Sequence, residues 1–129
     1  MNNLARAELI RELEHMQRHG TPMAMLGITV RKTQYLLIAG RDDGMFSLDY
    51  PREGWSDIIR ACRFTLFCRK RGFRLRKERW RNVPVVRASI GSVPVDVAQT
   101  IAECFLTVFQ VSGPFGLSLQ RLDCPPGAA

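Results

Sequence analysis

Apolar residues along the chain fall into two rhythms, one with a helical period and one that alternates, and together they set out an α+β order. Leu9, Leu13 and Met16, with Ile10 beside them, recur at helical spacing behind Asn2 or Asn3, either of which can cap a first helix ended by Gly20-Thr21-Pro22. Met23–Arg31 and Gln34–Ala39 are apolar and β-branched, and Lys32-Thr33 between them predicts a hairpin. Arg41-Asp42-Asp43-Gly44 is the clearest turn signal, since Asp-Gly supplies the positive φ a hairpin turn needs. Phe46, Leu48 and Tyr50 then alternate with Met45, Ser47 and Asp49, which predicts a third antiparallel strand and completes a meander.

After the break at Pro51–Gly54, a second helix is expected from about Trp55 to Arg71, stopped by Gly72. Trp55, Ile58, Ile59, Cys62 and Leu66 gather on one side of its wheel and are the predicted core face. Arg60, Arg71, Phe64 and Phe67 fall on the other side. Aromatics among arginines on an outward face are either covered by a second layer of the domain or form a surface for another chain or for stacked bases. Phe73–Trp80 and Val83–Ile90, joined by Arg81-Asn82, predict a basic hairpin with Phe73 and Leu75 on one face, Arg74, Arg76 and Glu78 on the other, and Trp80 on the polar side. Ser92 as N-cap, Pro94 in the first turn and Asp96 at the positive dipole end open a third helix to about Gln110, carrying Val97, Ile101, Phe105 and Val108. Leu117, Leu119 and Leu122 suggest a short closing strand. The expected organisation is one α+β domain over residues 1–122 and a loosely ordered tail over 123–129.

Length changes this picture little: 129 residues suit one domain that buries about two thirds of its unfolded surface. Charge changes it more. Between Arg60 and Arg87 the chain carries eleven Lys or Arg side chains against one acid, Glu78, whereas the other positions carry eight basic and eleven acidic residues. The net charge of +7 therefore comes from one stretch, which attracts anionic partners. No apolar run approaches a membrane span and the amphipathic N-terminus does not look like a signal peptide, so a cytoplasmic protein is expected.

Chemistry is sparse. The four cysteines, Cys62, Cys68, Cys104 and Cys124, show no CxxC spacing and suit reduced, buried thiols. His15 and His19 stand four apart on the first helix, a spacing two metal-ligating imidazoles can use, but a solvated last turn explains them and no third ligand is at hand. Asp42-Asp43 and Asp49/Glu53/Asp57 are explained by turn and helix-start chemistry. There is no Gly-rich phosphate loop, GxSxG or HExxH, so neither an enzyme nor a cofactor is expected.

Two binding classes are left. A protein-binding module would hold a client segment on exposed apolar positions of the sheet or second helix. A nucleic-acid-binding protein would neutralise phosphates with segment 60–87 and stack bases on Phe64, Phe67 or Trp80. A basic hairpin is also a common defence against edge pairing.

The predicted order resembles that of type III secretion chaperones and the related YbjN-like and TY-Chap domains. The resemblance is carried by Gly72-Phe73 after the second helix, by Trp80-Arg81-Asn82 between strands, and by the run from Val97 to Val111 leading to Pro114 and Leu117. It implies a non-enzymatic, often homodimeric domain that binds a partner protein. Secretion chaperones are typically acidic and this chain is not, so an acidic client, an acidic neighbouring domain or nucleic acid would restore complementarity. Phe64, Phe67, Arg60, Arg71, Arg74, Arg76 and Trp80 are the candidate partner-binding residues, all chosen from the residues rather than from the resemblance.

Overall fold

The computed structural model describes residues 1–19, 24–30, 34–40, 43–52, 58–80 and 82–123. The expected turns at Gly20–Pro22, Lys32-Thr33 and Arg41-Asp42, the proposed start of the second helix at Trp55, Arg81 and the tail after Asp123 lie outside the described residues. Within them the chain is α+β, running α1 (Asn3–His19), β1 (Ala24–Val30), β2 (Gln34–Gly40), β3 (Phe46–Pro51), α2 (Ile58–Lys70), β4 (Leu75–Trp80), β5 (Val83–Gly91), α3 (Pro94–Thr107) and β6 (Ser118–Asp123).

Asn2 caps α1: its Oδ1 accepts the Ala5 N–H at 2.8 Å, which satisfies one of the donors a helix start leaves open. Leu9 and Leu13 are fully buried along the one apolar stripe of that helix. The Asp43-Gly44 turn forms as its residues require, with Gly44 at φ +81° and the Met45 N–H bonded to Asp43 Oδ1 at 3.0 Å. Gly72, at φ +74°, likewise reverses the chain after α2, where the Phe73 N–H reaches back to the Cys68 carbonyl at 3.0 Å.

The six strands form one antiparallel sheet in the order β4-β5-β3-β2-β1-β6. Period-two alternation sends Leu26, Ile28 and Val30 of β1, Leu36 and Ile38 of β2, Phe46, Leu48 and Tyr50 of β3, and Val86, Ala88 and Ile90 of β5 into a single core. All three helices contribute to that core, α3 at the centre in contact with α1, α2 and β5. The closing strand β6 pairs with β1, setting Leu119 opposite Ile28, and extends one residue into the segment expected to be tail, with Asp123 opposite Ala24.

Helix α3 differs from expectation at both ends. Val93, not Ser92, is the N-cap, and no side chain completes the cap. Pro94, which has no N–H to satisfy, and Asp96 in the first turn account for the start. Regular helix stops at Thr107, and Gln110 takes a left-handed φ of +57° while the Val111 N–H closes on the Phe105 carbonyl at 3.1 Å.

Candidate functional site

Helix α2 carries two apolar stripes, and the sheet covers only one. Ala61, Phe64, Phe67 and Cys68 recur at three- and four-residue spacing and are buried. Ile58, Ile59, Cys62 and Leu66 recur at the same spacing about half a turn away and are exposed, Ile59 by 70% and Leu66 by 56%. This reverses the expected phase of the helix. The stripe assigned to the core faces solvent, and of the two alternatives for Phe64 and Phe67 the covered one holds, so their place among the candidate partner-binding residues is corrected to the core.

The arginines beside those aromatics made them look external, and geometry resolves the conflict. Phe64 stacks on Tyr50 with ring centroids 5.2 Å apart. The Arg71 guanidinium lies over the outer face of Phe67, 4.6 Å from its centroid, and pairs with Glu103 on α3. Arg60 lies over Phe109 at 5.1 Å. Both cations therefore lid the seam between α2 and α3, where flat guanidinium groups cover aromatic faces without leaving water. Of the other candidates, Arg74 is exposed just before β4, its carbonyl accepting the Ser89 N–H at 3.2 Å. Trp80 is half-buried at the far end of β4, opposite Val83.

Only Arg76 borders the concavity that the exposed stripe creates. Strand β4 is an edge of the sheet, paired with β5 alone. Between that edge and α2 runs a groove of about 600 Å³. Ile58, Cys62 and Leu66 form its helical wall, and Leu75 and Val86 its floor. Arg52, Arg69 and Lys77 supply three cations with no acid among the described lining residues, whereas Arg76, though it borders the groove, belongs to the opposite face of β4 in line with Arg87. An apolar trough edged by one sign of charge is suited to an amphipathic anionic guest.

Sequence reasoning missed Arg52, Ile58, Cys62, Leu66, Arg69 and Lys77 as site residues. Two apolar stripes on a helix that has one sheet to lie on was the available signal.

A second hollow, of about 390 Å³ between α1 and the β1–β6 edge, is different in kind. There Arg121 donates two 2.9 Å hydrogen bonds to the Glu12 carboxylate, and this bonding holds the Glu12 carboxyl below its ordinary value. Its charge is spent internally.

The sheet face away from the helices holds one more polar feature. Asp49 is fully buried and accepts two hydrogen bonds, each 2.8 Å, from Arg87 directly opposite on β5. Burial pushes the Asp49 carboxyl up against the opposing pull of Arg87, and the bonds to Asp49 raise Arg87. Arg76 faces Arg87 across the next pairing, so this row anchors β3 to β5 rather than offering a free acid.

Catalytic and metal chemistry find little to build on. Burial pushes the Cys68 thiol up to about 12 and the Cys104 thiol well above its ordinary value, while Cys62 is exposed. The imidazoles of His15 and His19 are 5.1 Å apart, and no group of three or more His, Cys, Asp or Glu among the described residues is placed to hold a metal ion. No described helix is long and apolar enough to cross a membrane. Comparison with known family models, with curated proteins and with solved structures gives no match.

Proposed function

We propose that this protein is a non-enzymatic partner-binding module of secretion-chaperone type that holds a segment of another protein in the groove between α2 and β4. The observation that carries the reading is the second apolar stripe of α2. Leaving Ile58 and Leu66 in water forgoes part of the burial worth roughly 1.5–3 kcal/mol for a fully covered side chain, which a docked segment would recover. The resemblance at Gly72-Phe73, Trp80-Arg81-Asn82 and Val97–Val111 points the same way, toward a chaperone-like arrangement of meander, hairpin and helices.

In this reading the module is a homodimer, and β4 is not where the copies meet. Pairing β4 with itself would set Arg76, Lys77 and Arg79 of two chains against one another with only Glu78 to offset them. The alternative, nucleic-acid binding through segment 60–87, keeps its charge but loses two of its three stacking candidates, because Phe64 and Phe67 are in the core and only the half-buried Trp80 is left.

Selection of displayed random peptides on the immobilised protein tests the proposal. Peptides that bind the wild-type protein and lose about tenfold or more in affinity against Leu66→Ser are expected, since Leu66 is exposed and its loss leaves the fold intact. Selection of no peptide, or of peptides indifferent to Leu66→Ser, together with salt-sensitive binding of single-stranded DNA or RNA, would move the assignment to nucleic acid.

A further inference from the structure

We infer that the groove selects acidic amphipathic segments, with apolar side chains against α2 and carboxylates meeting the cations at its margins. This rests on the partner-binding reading above and specifies what the partner must be made of. The helical wall of Ile58, Cys62 and Leu66 accepts any apolar group and so cannot discriminate among clients. Discrimination is left to Arg52, Arg69 and Lys77. No described acid lines the groove with them, and no described residue forms an ion pair with Arg69 or Lys77.

The contrast with the rest of the basic stretch sharpens this. Arg60 and Arg71 cover aromatic rings, Arg71 is paired with Glu103, and Arg87 is held by Asp49, so those charges are already committed to the fold. Arg52, Arg69 and Lys77 have no such ion pair among the described residues. A basic segment would add like charges to a molecule already at +7 and be repelled, whereas an acidic one gains both steering and contact energy. A second copy of the chain is a poor occupant for the same reason. A nucleic acid strand would meet aliphatic side chains where it needs flat rings.

The test uses three synthetic peptides with the same apolar residues and Glu, Ser or Lys at the intervening positions, titrated by fluorescence anisotropy. Each exposed charge pair contributes about a two- to fivefold effect, so the Glu peptide is expected to bind at least about tenfold tighter than the Lys peptide. Arg69→Glu/Lys77→Glu, both at exposed positions, is expected to reverse that order, with the far-ultraviolet circular dichroism unchanged. Equal binding of the three peptides, still sensitive to Leu66→Ser, would overturn the charge selection while sparing the partner-binding reading. Binding of none would remove both. Displacement of the Glu peptide by a single-stranded oligonucleotide that binds more tightly would also overturn the inference.

Discussion

The orientation of α2 fixes which residues can meet a partner, and paired substitutions on its two stripes measure it. Phe64 is fully buried and stacked on Tyr50, whereas Leu66, two positions on, is 56% exposed. Truncating a buried Phe to Ala costs about 3–5 kcal/mol, to which loss of an aromatic pair adds about 0.5–1.5 kcal/mol. A domain of this size has only about 5–15 kcal/mol of stability, so Phe64→Ala risks not folding and Phe64→Leu, at about 1–2 kcal/mol, is the safer probe. Leu66→Ala should change stability by less than about 0.5 kcal/mol, because little apolar surface is lost and Ala is at least as good a helix former as Leu. Urea unfolding followed by circular dichroism resolves the two. With a slope of about 2 kcal/mol per molar, Phe64→Leu should lower the midpoint by roughly 0.5–1 M and Leu66→Ala by no more than about 0.25 M. A Leu66→Ala midpoint as low as that of Phe64→Leu would mean that α2 is turned the other way. The groove built on Ile58, Cys62 and Leu66 would then not exist.

Two further predictions probe the buried ion pair and the cysteines. Arg87→Ala leaves the Asp49 carboxylate buried without its partner and should cost about 3–5 kcal/mol, more than Asp49→Ala, which leaves a half-exposed Arg87 free to reach water. Burial already raises Asp49, so in Arg87→Ala the folded state holds its proton more tightly than the unfolded chain does; stability falls as pH rises through the folded titration, and the deficit in urea unfolding should be smaller at about pH 4 than at about pH 7. Among the described cysteines, Cys62 should be alkylated in the native protein at neutral pH, with Cys68 and Cys104 modified only on unfolding, as mass spectrometry of timed samples would show; native labelling of Cys68 at the rate of Cys62 would contradict its burial.

The sequence reads best where one local pattern has one explanation. Helix α1 has a single apolar stripe and an Asn to cap it, and both Leu9 and Leu13 and the Asn2–Ala5 bond are found. Strand β3 shows strict alternation, and Phe46, Leu48 and Tyr50 go to the core. An α+β domain with three helices and an antiparallel sheet follows from such segments. Helix α2 departs from expectation because both of its faces are apolar and arginines ordinarily mark a solvent-facing side. Arg60 and Arg71 instead lie flat on Phe109 and Phe67, so cations next to aromatics marked a covered seam. The Asp49–Arg87 pair joins residues far apart in the chain and depends on β3 pairing with β5 rather than with β4, which no local pattern states. The groove was hidden for the same reason: Arg76 was named for its charge, but Arg52, Arg69 and Lys77 come together only once β4 is known to be an edge.

The two edges of the sheet separate a protective role for charge from a recognitive one. An exposed strand invites pairing, and charged side chains discourage it, so basic residues on β4 alone prove no binding. If protection were their whole purpose, the opposite edge should be treated alike. On β6, however, Arg121 is bonded by both arms to Glu12 and its field is neutralised within the domain. On β4, Lys77 faces a groove with an apolar wall and no described acid. The wall matters to the argument, because a strand guarded only against aggregation gains nothing from Leu66 and Ile58 left bare beside it. Bare apolar surface is costly for solubility unless something covers it. The economical explanation is a partner that brings both the apolar groups and the carboxylates.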